Sequence, residues 1–519
     1  MNIVILSAHA EPENAAFQLA NQYHWNNYYA YSRNAGAYKI ATEMRRLGHN
    51  VEVLDFVVYW PEEALKKYFE ERADQIDVVA WSSQFFFRHS FYKKYCDIIK
   101  RINPNITFVT GGPKVTNLLN FTESKYLIAG YAETAIEDLL NHIDKKPNKL
   151  KFQLVNNQYY IDCLKHYPML ELPPMQIKYH ASDYIIPSET LTLSTSRGCI
   201  FKCDFCSYPY IGKKKGEFTR MGAETYYDEL MANYEQWGTT NYYLADETAN
   251  DSIEKLKAIE EAAKMLPFKL DITGFIRLDL LAKQEKDWGL YKNIGFTNWH
   301  LGIETFSPDA LKAIAKPYSP IKSQQTLVKL RKYFPEAVMF ATFIVGAPHD
   351  SPELFEKHTI SWLAGEGKDI LTGKAMSSLN VPKETPYAVG SKISKNFKNY
   401  GFSEMTDEEL AYEMSIDPNI TKEMIEETRK YNILWATSNW NAISAEKYAT
   451  QYNHQVVWHN NLSCWTRSRA LNVGIPPQQI NELINPNNQP LTKLINEKIV
   501  ECLDVYINKK LAHNWFHVL

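Results

Sequence analysis

Cysteine is scarce in this chain, with seven among 519 residues. That scarcity excludes the disulfide-stapled secreted scaffolds, whose small cores need many crosslinks. Long apolar runs are also lacking, and none approaches the ~20 residues that span a bilayer. The opening Met1-Asn2-Ile3-Val4-Ile5-Leu6 has neither the basic start nor the extended apolar core of an export signal, and a buried strand is expected there. A cytoplasmic location is the expectation that follows. Charge is nearly balanced, formally −3 with a pI near 6.6, so there is no global pull towards nucleic acid or anionic membrane. Internal repeats and low-complexity segments are absent. What is there is a globular composition, 45% hydrophobic, in a chain long enough for two to four domains.

Residues 1–145 alternate short β-branched runs with amphipathic stretches. Val4–Leu6, Val51–Leu54, Val78–Trp81 and Thr107–Val109 read as strands; Tyr38–Leu47 and Phe91–Ile102 read as helices. The alternation predicts an α/β fold with a doubly wound parallel sheet, whose ligands bind at the carboxyl ends of the strands. Those ends carry Ser7-Ala8-His9, Ser82-Ser83 and Thr110-Gly111-Gly112-Pro113. Residues 146–190, polar and rich in Tyr and Pro, read as a linker. Residues 191–390 resume the alternation, with strands expected at Leu191–Ser194, Asn241–Leu244, Lys269–Thr273, Trp299–Ile303, Met339–Val345 and Met376–Asn380. Repeated βα units predict a partial or full barrel with its chemistry at the strands' carboxyl ends. Residues 391–519 read as a mainly helical region, through Asp407–Met414, Thr421–Tyr431 and Leu491–Lys510.

The strongest chemical signal lies just after the first of those barrel strands. Cys199, Cys203 and Cys206 crowd into eight residues. Thiolates are the ligands of iron–sulfur clusters, and a short loop can wrap three of them around one cluster. Three ligands leave a fourth iron open to a small molecule. Two other readings stand beside this one: three buried free thiols, and a zinc site. Zinc normally takes four ligands in paired knuckles, and no second Cys/His pair lies nearby in sequence.

Cys-x3-Cys-x-aromatic-Cys after a first barrel strand resembles the signature of the radical S-adenosylmethionine (SAM) superfamily. The resemblance implies a [4Fe-4S] cluster on the three cysteines, SAM chelated at the open iron, and reductive cleavage of SAM to abstract hydrogen from substrate. It places Phe205 near the adenine. Asp246 or Glu247, in Leu244-Ala245-Asp246-Glu247-Thr248, would face the SAM ammonium; a helix N-cap is the plainer role for this segment. Arg277 would reach the SAM carboxylate or form a strand-end ion pair. Glu304, in Leu301-Gly302-Ile303-Glu304-Thr305, would accept hydrogen bonds from SAM. Ile344 and Gly346, in Phe343-Ile344-Val345-Gly346-Ala347-Pro348, would line the adenine, glycine permitting close backbone approach.

The first domain resembles the cobalamin-binding domain that precedes some radical SAM barrels. The phrases that carry this are Leu47-Gly48-His49-Asn50-Val51-Glu52-Val53-Leu54-Asp55, Thr110-Gly111-Gly112-Pro113-Lys114 and Ala129-Gly130-Tyr131-Ala132-Glu133-Thr134. The resemblance implies cobalamin against Ser82, Ser83, Gly111 and Gly112. It departs from the family in lacking Asp-x-His-x-x-Gly, whose His ligates cobalt; His9 stands without that motif's Asp and Gly and reads as a loop residue. Gln84-Phe85-Phe86-Phe87 would floor a corrin or pack on a neighbouring domain. Lys213-Lys214-Lys215 reads as solvated and Trp458–Trp465 as helix packing.

Together these resemblances imply a radical SAM enzyme, most simply a cobalamin-dependent methyltransferase acting on an unactivated carbon. The alternatives are rearrangement, cyclisation or oxidation without methyl transfer, and a non-catalytic SAM or cobalamin sensor. A small-molecule or peptide substrate and an external electron donor such as flavodoxin or ferredoxin are the partners implied; nothing indicates nucleic acid.

Overall fold

The computed structural model describes residues 1–7, 31–83, 89–112, 115, 121–167, 169, 172–206, 217–316, 318–379, 381, 390–404, 406, 434–435, 448, 464–483 and 489–517. Contacts divide the chain into two compact units. One comprises Met1–Ile186 with Ile495–Leu519, and the other takes up most of Pro187–Leu494. His9, Gln84–Phe87, Pro113–Lys114, Lys213–Lys215, Asp407–Met414, Thr421–Tyr431 and Trp458–Ser463 lie outside the described residues.

In the first unit, β1 (Asn2–Leu6), β2 (Asn50–Leu54), β3 (Val78–Ser82), β4 (Thr107–Gly111), β5 (Tyr126–Ala129), β6 (Gln153–Val155) and β7 (Gln158–Asp162) form one sheet. Their order is β2-β1-β3-β4-β5-β7-β6, parallel except for β6 against β7. The chain reverses direction of winding between β1 and β3. That switch point is where doubly wound sheets hold ligands, and here it is flanked by Ser7 and by Ser82–Ser83. Helices Ala35–Arg46, Glu62–Glu70, His89–Ile102 and Ile136–Ile143 join successive strands.

Two expected boundaries differ from what is found. The supposed linker 146–190 contains the hairpin β6–β7, which extends the first sheet. Its turn is Asn156-Asn157, with φ of 49° and 64°, the left-handed pair that a tight hairpin requires. Only three and five residues long, these strands carried too little alternation to stand out from a polar stretch.

The end of the chain likewise does not belong to a separate helical region. In helix Gln489–Ala512, Lys510 is fully buried and its Nζ donates to Glu52 at 3.1 Å and to the Val53 carbonyl at 2.7 Å. Arg72 donates to the Lys510 and Leu511 carbonyls at 3.3 and 2.9 Å, satisfying two of the helix's last acceptors, and to the His513 carbonyl just beyond the helix at 3.1 Å. Helical periodicity identified this element but carried no information on which sheet it joins.

The second unit is a partial barrel. Strands β8 (Thr190–Leu193), β9 (Asn241–Leu244), β10 (Asp271–Ile276), β11 (Phe296–Glu304), β12 (Val338–Val345) and β13 (Gly373–Ser378) pair in sequence order, all parallel. β10 begins two residues later than expected, at Asp271, whose side chain accepts from Arg467 and Asn298. On the outer face Trp299 stacks on Tyr291, ring centroids 5.4 Å apart, and meets Phe334 at 4.7 Å. Each such side chain, fully buried, contributes roughly 1.5–3 kcal/mol. On the opposite face His300 sits between Phe275 and Phe340, at 4.3 and 5.1 Å. Burial pushes that imidazole down to about 3, so it is neutral. Helix Cys464–Asn472 closes the amino ends of the strands, Asn472 accepting the Thr190 N–H at 2.9 Å. The carboxyl ends are left for chemistry.

Candidate active site at the carboxyl ends of the barrel strands

The three-cysteine loop leaves β8 through Thr195-Ser196-Arg197-Gly198. Its base is closed by pairing with the returning chain: Ser196 bridges Thr219, and the Arg197 N–H donates to the Phe218 carbonyl at 3.1 Å. Gly198 takes φ 72°, a left-handed turn natural to glycine. Cys199, Cys203 and Cys206 are all free thiols and all half-exposed. The Cys206 N–H donates to the Cys203 carbonyl at 3.1 Å, closing a tight backbone turn between the last two cysteines.

Between them, Asp204 and Phe205 fasten the loop to the barrel. Asp204 accepts from Lys392 at 2.8 Å and from the Tyr400 hydroxyl, while its own N–H donates to the Ile314 carbonyl. Phe205 packs against the apolar cluster of Ile314, Ile344, Ala347 and Ile393. Two of the expected adenine-side residues, Phe205 and Ile344, are thus brought together. Gly346 ends β12 with φ 81°, the left-handed conformation that lets the backbone turn away there.

Asp246 has a different role from the ligand contact expected of it. It is buried, and protein donors take up both its oxygens. The Thr195 and Ser196 N–H groups donate to Oδ1 at 3.1 and 3.0 Å; the Thr195 hydroxyl and Lys255 donate to Oδ2, the latter at 2.7 Å. The Lys255 ammonium and these hydrogen bonds outweigh burial and hold its carboxyl below the ordinary range. Asp246 therefore fixes the stem of the cysteine loop. The neighbouring Glu247 is half-buried and close enough to raise the Cys199 thiol. Burial is the main cause of that rise, opposed by a hydrogen bond from the Phe201 backbone; Thr248 lies 3.7 Å from the same sulfur.

Glu304 is held in an unusual backbone state. At the end of β11 the register against β12 slips between Gly302 and Glu304, and Glu304 takes φ 70°. Such strain in a bulky residue persists only when its surroundings over-determine it, and it gathers at functional sites. Here the surroundings are Lys316, which pairs with the Glu304 carboxylate, donates to the Gly302 carbonyl at 3.1 Å, and lies 6.0 Å from the Phe205 ring centre. A Cβ on Gly302 would stand 2.9 Å from Glu304 Oε1, so a larger residue there would push the carboxylate from its present position.

Arg277, at the end of β10, reaches Asp279 and the Cys203 sulfur. Its main-chain N–H and C=O are both bonded by the Asn250 side chain, at 2.9 and 3.0 Å. Sequence reasoning passed over Lys255, Lys316, Asn250 and Asp279. Of these, Lys255 had a sequence signal: it lies four residues after Asp251 at the start of a helix, the spacing of an i,i+4 pair.

Asp350 lies buried beyond Gly346, accepting from the Ser351 N–H at 3.0 Å, and burial pushes its carboxyl up to about 7. The native state thus retains a proton that the unfolded chain releases near ~3.9. Stability should fall as pH rises from about 4 through 7, then level off. Asp350→Asn cannot ionise and should flatten that slope in a profile of melting temperature against pH; an unchanged slope would contradict the assignment.

In the first unit the expected ligand residues also meet. Ser82 pairs with Gly111 in register, and the Ser83 N–H donates to the Gly111 carbonyl at 2.8 Å. Gly111 has nothing nearer than 4.0 Å to where a Cβ would sit, and Gly112 takes φ 109°. Ser82 accepts from Asn34, the cap of helix Ala35–Arg46, at 2.6 Å. The strand ends thus present small polar residues and open backbone, the lining that close approach of a flat ligand needs.

Among the described residues, no three Cys, His, Asp or Glu side chains converge tightly enough for a single metal ion. A four-iron cube bonds its thiolates at separate corners and makes no such demand. The donor set suits it: three thiols on one anchored loop, with a cation at one sulfur and a hydroxyl near another. No helix among the described residues is long and apolar enough to cross a membrane.

The radical SAM superfamily model matches residues 193–359, a span that contains the three cysteines, Asp246, Glu247, Arg277, Glu304, Ile344 and Gly346. An uncharacterised methyltransferase of Pyrococcus horikoshii is 25% identical over 303 residues, 54% of this chain and 62% of the relative. The match thus takes in less than two thirds of that protein. Among solved structures, the radical SAM methyltransferase TsrM of Kitasatospora setae, with tryptophan substrate and a SAM analogue bound, aligns over 96% of both chains with a TM-score of 0.62 and 13% identity. The cobalamin-dependent radical SAM enzyme OxsB, with aqua-cobalamin and SAM bound, aligns over 98% of this chain and 72% of its own, with a TM-score of 0.55 and 14% identity. At such identities the likeness establishes the fold.

Proposed function

From the premise that residues 193–359 form a radical SAM domain, within a chain that folds as TsrM and OxsB do, we propose a cobalamin-dependent radical SAM methyltransferase acting on an unactivated carbon. The observation that carries this reading is the three-thiol loop anchored at the carboxyl ends of a parallel partial barrel, in one chain with a doubly wound sheet that bears serines at its switch point and glycines at the neighbouring end of β4. When bound, a [4Fe-4S] cluster with three thiolate ligands supplies an open iron for SAM and an electron for its sulfonium. Cys199, Cys203 and Cys206 would hold it.

The remaining roles belong to side chains. Glu247, a carboxylate near Cys199, would meet the SAM ammonium. Phe205 and Ile344 form the apolar wall for adenine, and Gly346 leaves the backbone close to it. Glu304, locked by Lys316, offers its remaining carboxylate oxygen to the ribose or amino-acid part. Asp246 and Lys255 keep the loop from shifting. In the first unit Ser82, Ser83, Gly111 and Gly112 would contact cobalamin. The proposed overall reaction consumes two SAM molecules, a substrate C–H bond and two electrons. It yields the C–CH3 product, 5′-deoxyadenosine, methionine and S-adenosylhomocysteine. A flavodoxin or ferredoxin fits as donor.

Anaerobic incubation of the reconstituted chain with SAM, cobalamin, a reductant and candidate substrates tests the proposal. The expected result is 5′-deoxyadenosine and S-adenosylhomocysteine in step with a product heavier by one methylene. Formation of 5′-deoxyadenosine with no methylated product, independent of cobalamin, would instead support radical rearrangement or oxidation. Absence of both nucleoside products under reduction would reject the enzyme reading.

A further inference from the structure

The Arg277 guanidinium has each edge engaged. Nε and Nη2 donate to the two oxygens of Asp279, at 2.9 and 3.2 Å. Nη1 donates to Cys203 Sγ at 3.2 Å, within the range of an N–H···S hydrogen bond. The flat face lies 4.0 Å from the centre of the Phe201 ring, inside the cysteine loop itself. Asn250, fully buried, fixes the main chain on both sides of Cα. A planar fork gripped at one edge, stacked on one face and pinned at its base has little freedom to turn elsewhere. This is more than the strand-end ion pair that the sequence suggested, because the cation's free corner points at a sulfur.

Resting on the cluster reading above, we propose that Arg277 sets the electron affinity of the cluster through its charged hydrogen bond to Cys203, with Asp279 as the positioning residue that aims it and offsets its charge. The physics is direct. One-electron reduction adds negative charge to iron and sulfur. A donor and positive charge at a ligating sulfur stabilise the reduced form more than the oxidised form, and so raise the potential. A carboxylate two residues away acts in the opposite sense. Removing the cation and removing the anion should therefore move the potential in opposite directions. Damage to the loop alone has no reason to produce that pattern.

The test is an EPR-monitored redox titration of the reconstituted full-length chain, without SAM, in wild type, Arg277→Gln, Arg277→Lys and Asp279→Asn. Iron and sulfide are counted first. Arg277→Gln should lower the reduction equilibrium about tenfold, a shift of ~59 mV for one electron. Asp279→Asn should shift it upwards, and Arg277→Lys should fall between Arg277→Gln and wild type. If Arg277→Gln fails to take up iron, the upward shift in Asp279→Asn carries the test alone. A loaded wild type whose potential ignores these substitutions, or moves the same way in both, overturns this inference and leaves the cluster standing. So does an unchanged potential with a raised KM for SAM in Arg277→Gln, which would assign the guanidinium to the SAM carboxylate. A wild-type chain that takes up no iron overturns both readings.

Discussion

Replacing Cys199, Cys203 or Cys206 singly by alanine should leave a folded chain that no longer holds a competent cluster, with reductive SAM cleavage down by about a hundredfold or more. The magnitude follows from a comparison: losing a group that merely orients a metal ligand costs roughly 10–100-fold in affinity or activity, and these residues are the proposed ligands themselves. Folding should survive because the thiols do not carry the loop. Asp204, bonded to Lys392 and Tyr400, and Phe205, packed beside Ile344, do that. Cys96→Ala and Cys163→Ala are the controls. Both thiols are fully enclosed in the first unit and lie outside the cysteine loop, whose three thiols are half-exposed. Their loss should cost stability and leave iron uptake intact. Iron and sulfide per chain, with 5′-deoxyadenosine formed on reduction, separate the two groups. Equal cluster loading in Cys203→Ala and wild type would refute the assignment.

Lys255→Met should cost about 3–5 kcal/mol of stability, because it leaves uncompensated carboxylates in the interior. Lys255 Nζ lies 2.7 Å from both Asp246 and Asp251, with the lysine and Asp246 side chains wholly buried. The loss is also structural, since Asp246 joins Thr195 and Ser196 to β9 and so sets the entry of the cysteine loop. Weakened iron uptake should accompany the lower unfolding midpoint. The pH dependence carries the same signature. Asp246 has its pKa lowered in the fold, so its stabilisation is complete above the ordinary carboxylate value of ~3.9 and is lost as pH falls through the folded value. Lys255 is raised by Asp246 and Asp251 against the effect of burial, so its contribution is complete below the ordinary lysine value of ~10.4 and is lost as pH rises through its folded value. In the variant the buried carboxylates lose their cation and burial raises them, so the gap between wild type and variant should widen as pH rises from about 4 towards neutral. A gap of a few tenths of a kcal/mol would mean that the buried triad does not hold the loop.

The sequence made some of this legible and hid the rest for identifiable reasons. Apolar β-branched runs marked β1 to β4, because strands buried on both faces leave a compositional trace, and the resumed strand–helix alternation marked the six barrel strands. The short hairpin β6–β7 left little, and its asparagine turn read as linker. Thiol spacing pointed to Cys199, Cys203 and Cys206 because a cluster loop is local in sequence. Glu304 was legible as a carboxylate at a strand end, while its left-handed backbone and its partner Lys316, twelve residues on, were not. Asp246 shows the converse. A carboxylate at a strand end looks the same in sequence whether it faces a ligand or is filled by its neighbours, and only the four donors around it decide. Lys510 was beyond reach of pattern, since its partner Glu52 is 458 residues away.

Mössbauer spectroscopy of the full chain, reconstituted anaerobically with iron-57 and sulfide and recorded with and without SAM, bears most directly on the central claim. Three thiolates gripping one cube predict about four irons per chain, with one iron changing its spectrum when SAM is added. A single bound metal ion, or irons that all stay indifferent to SAM, would contradict it.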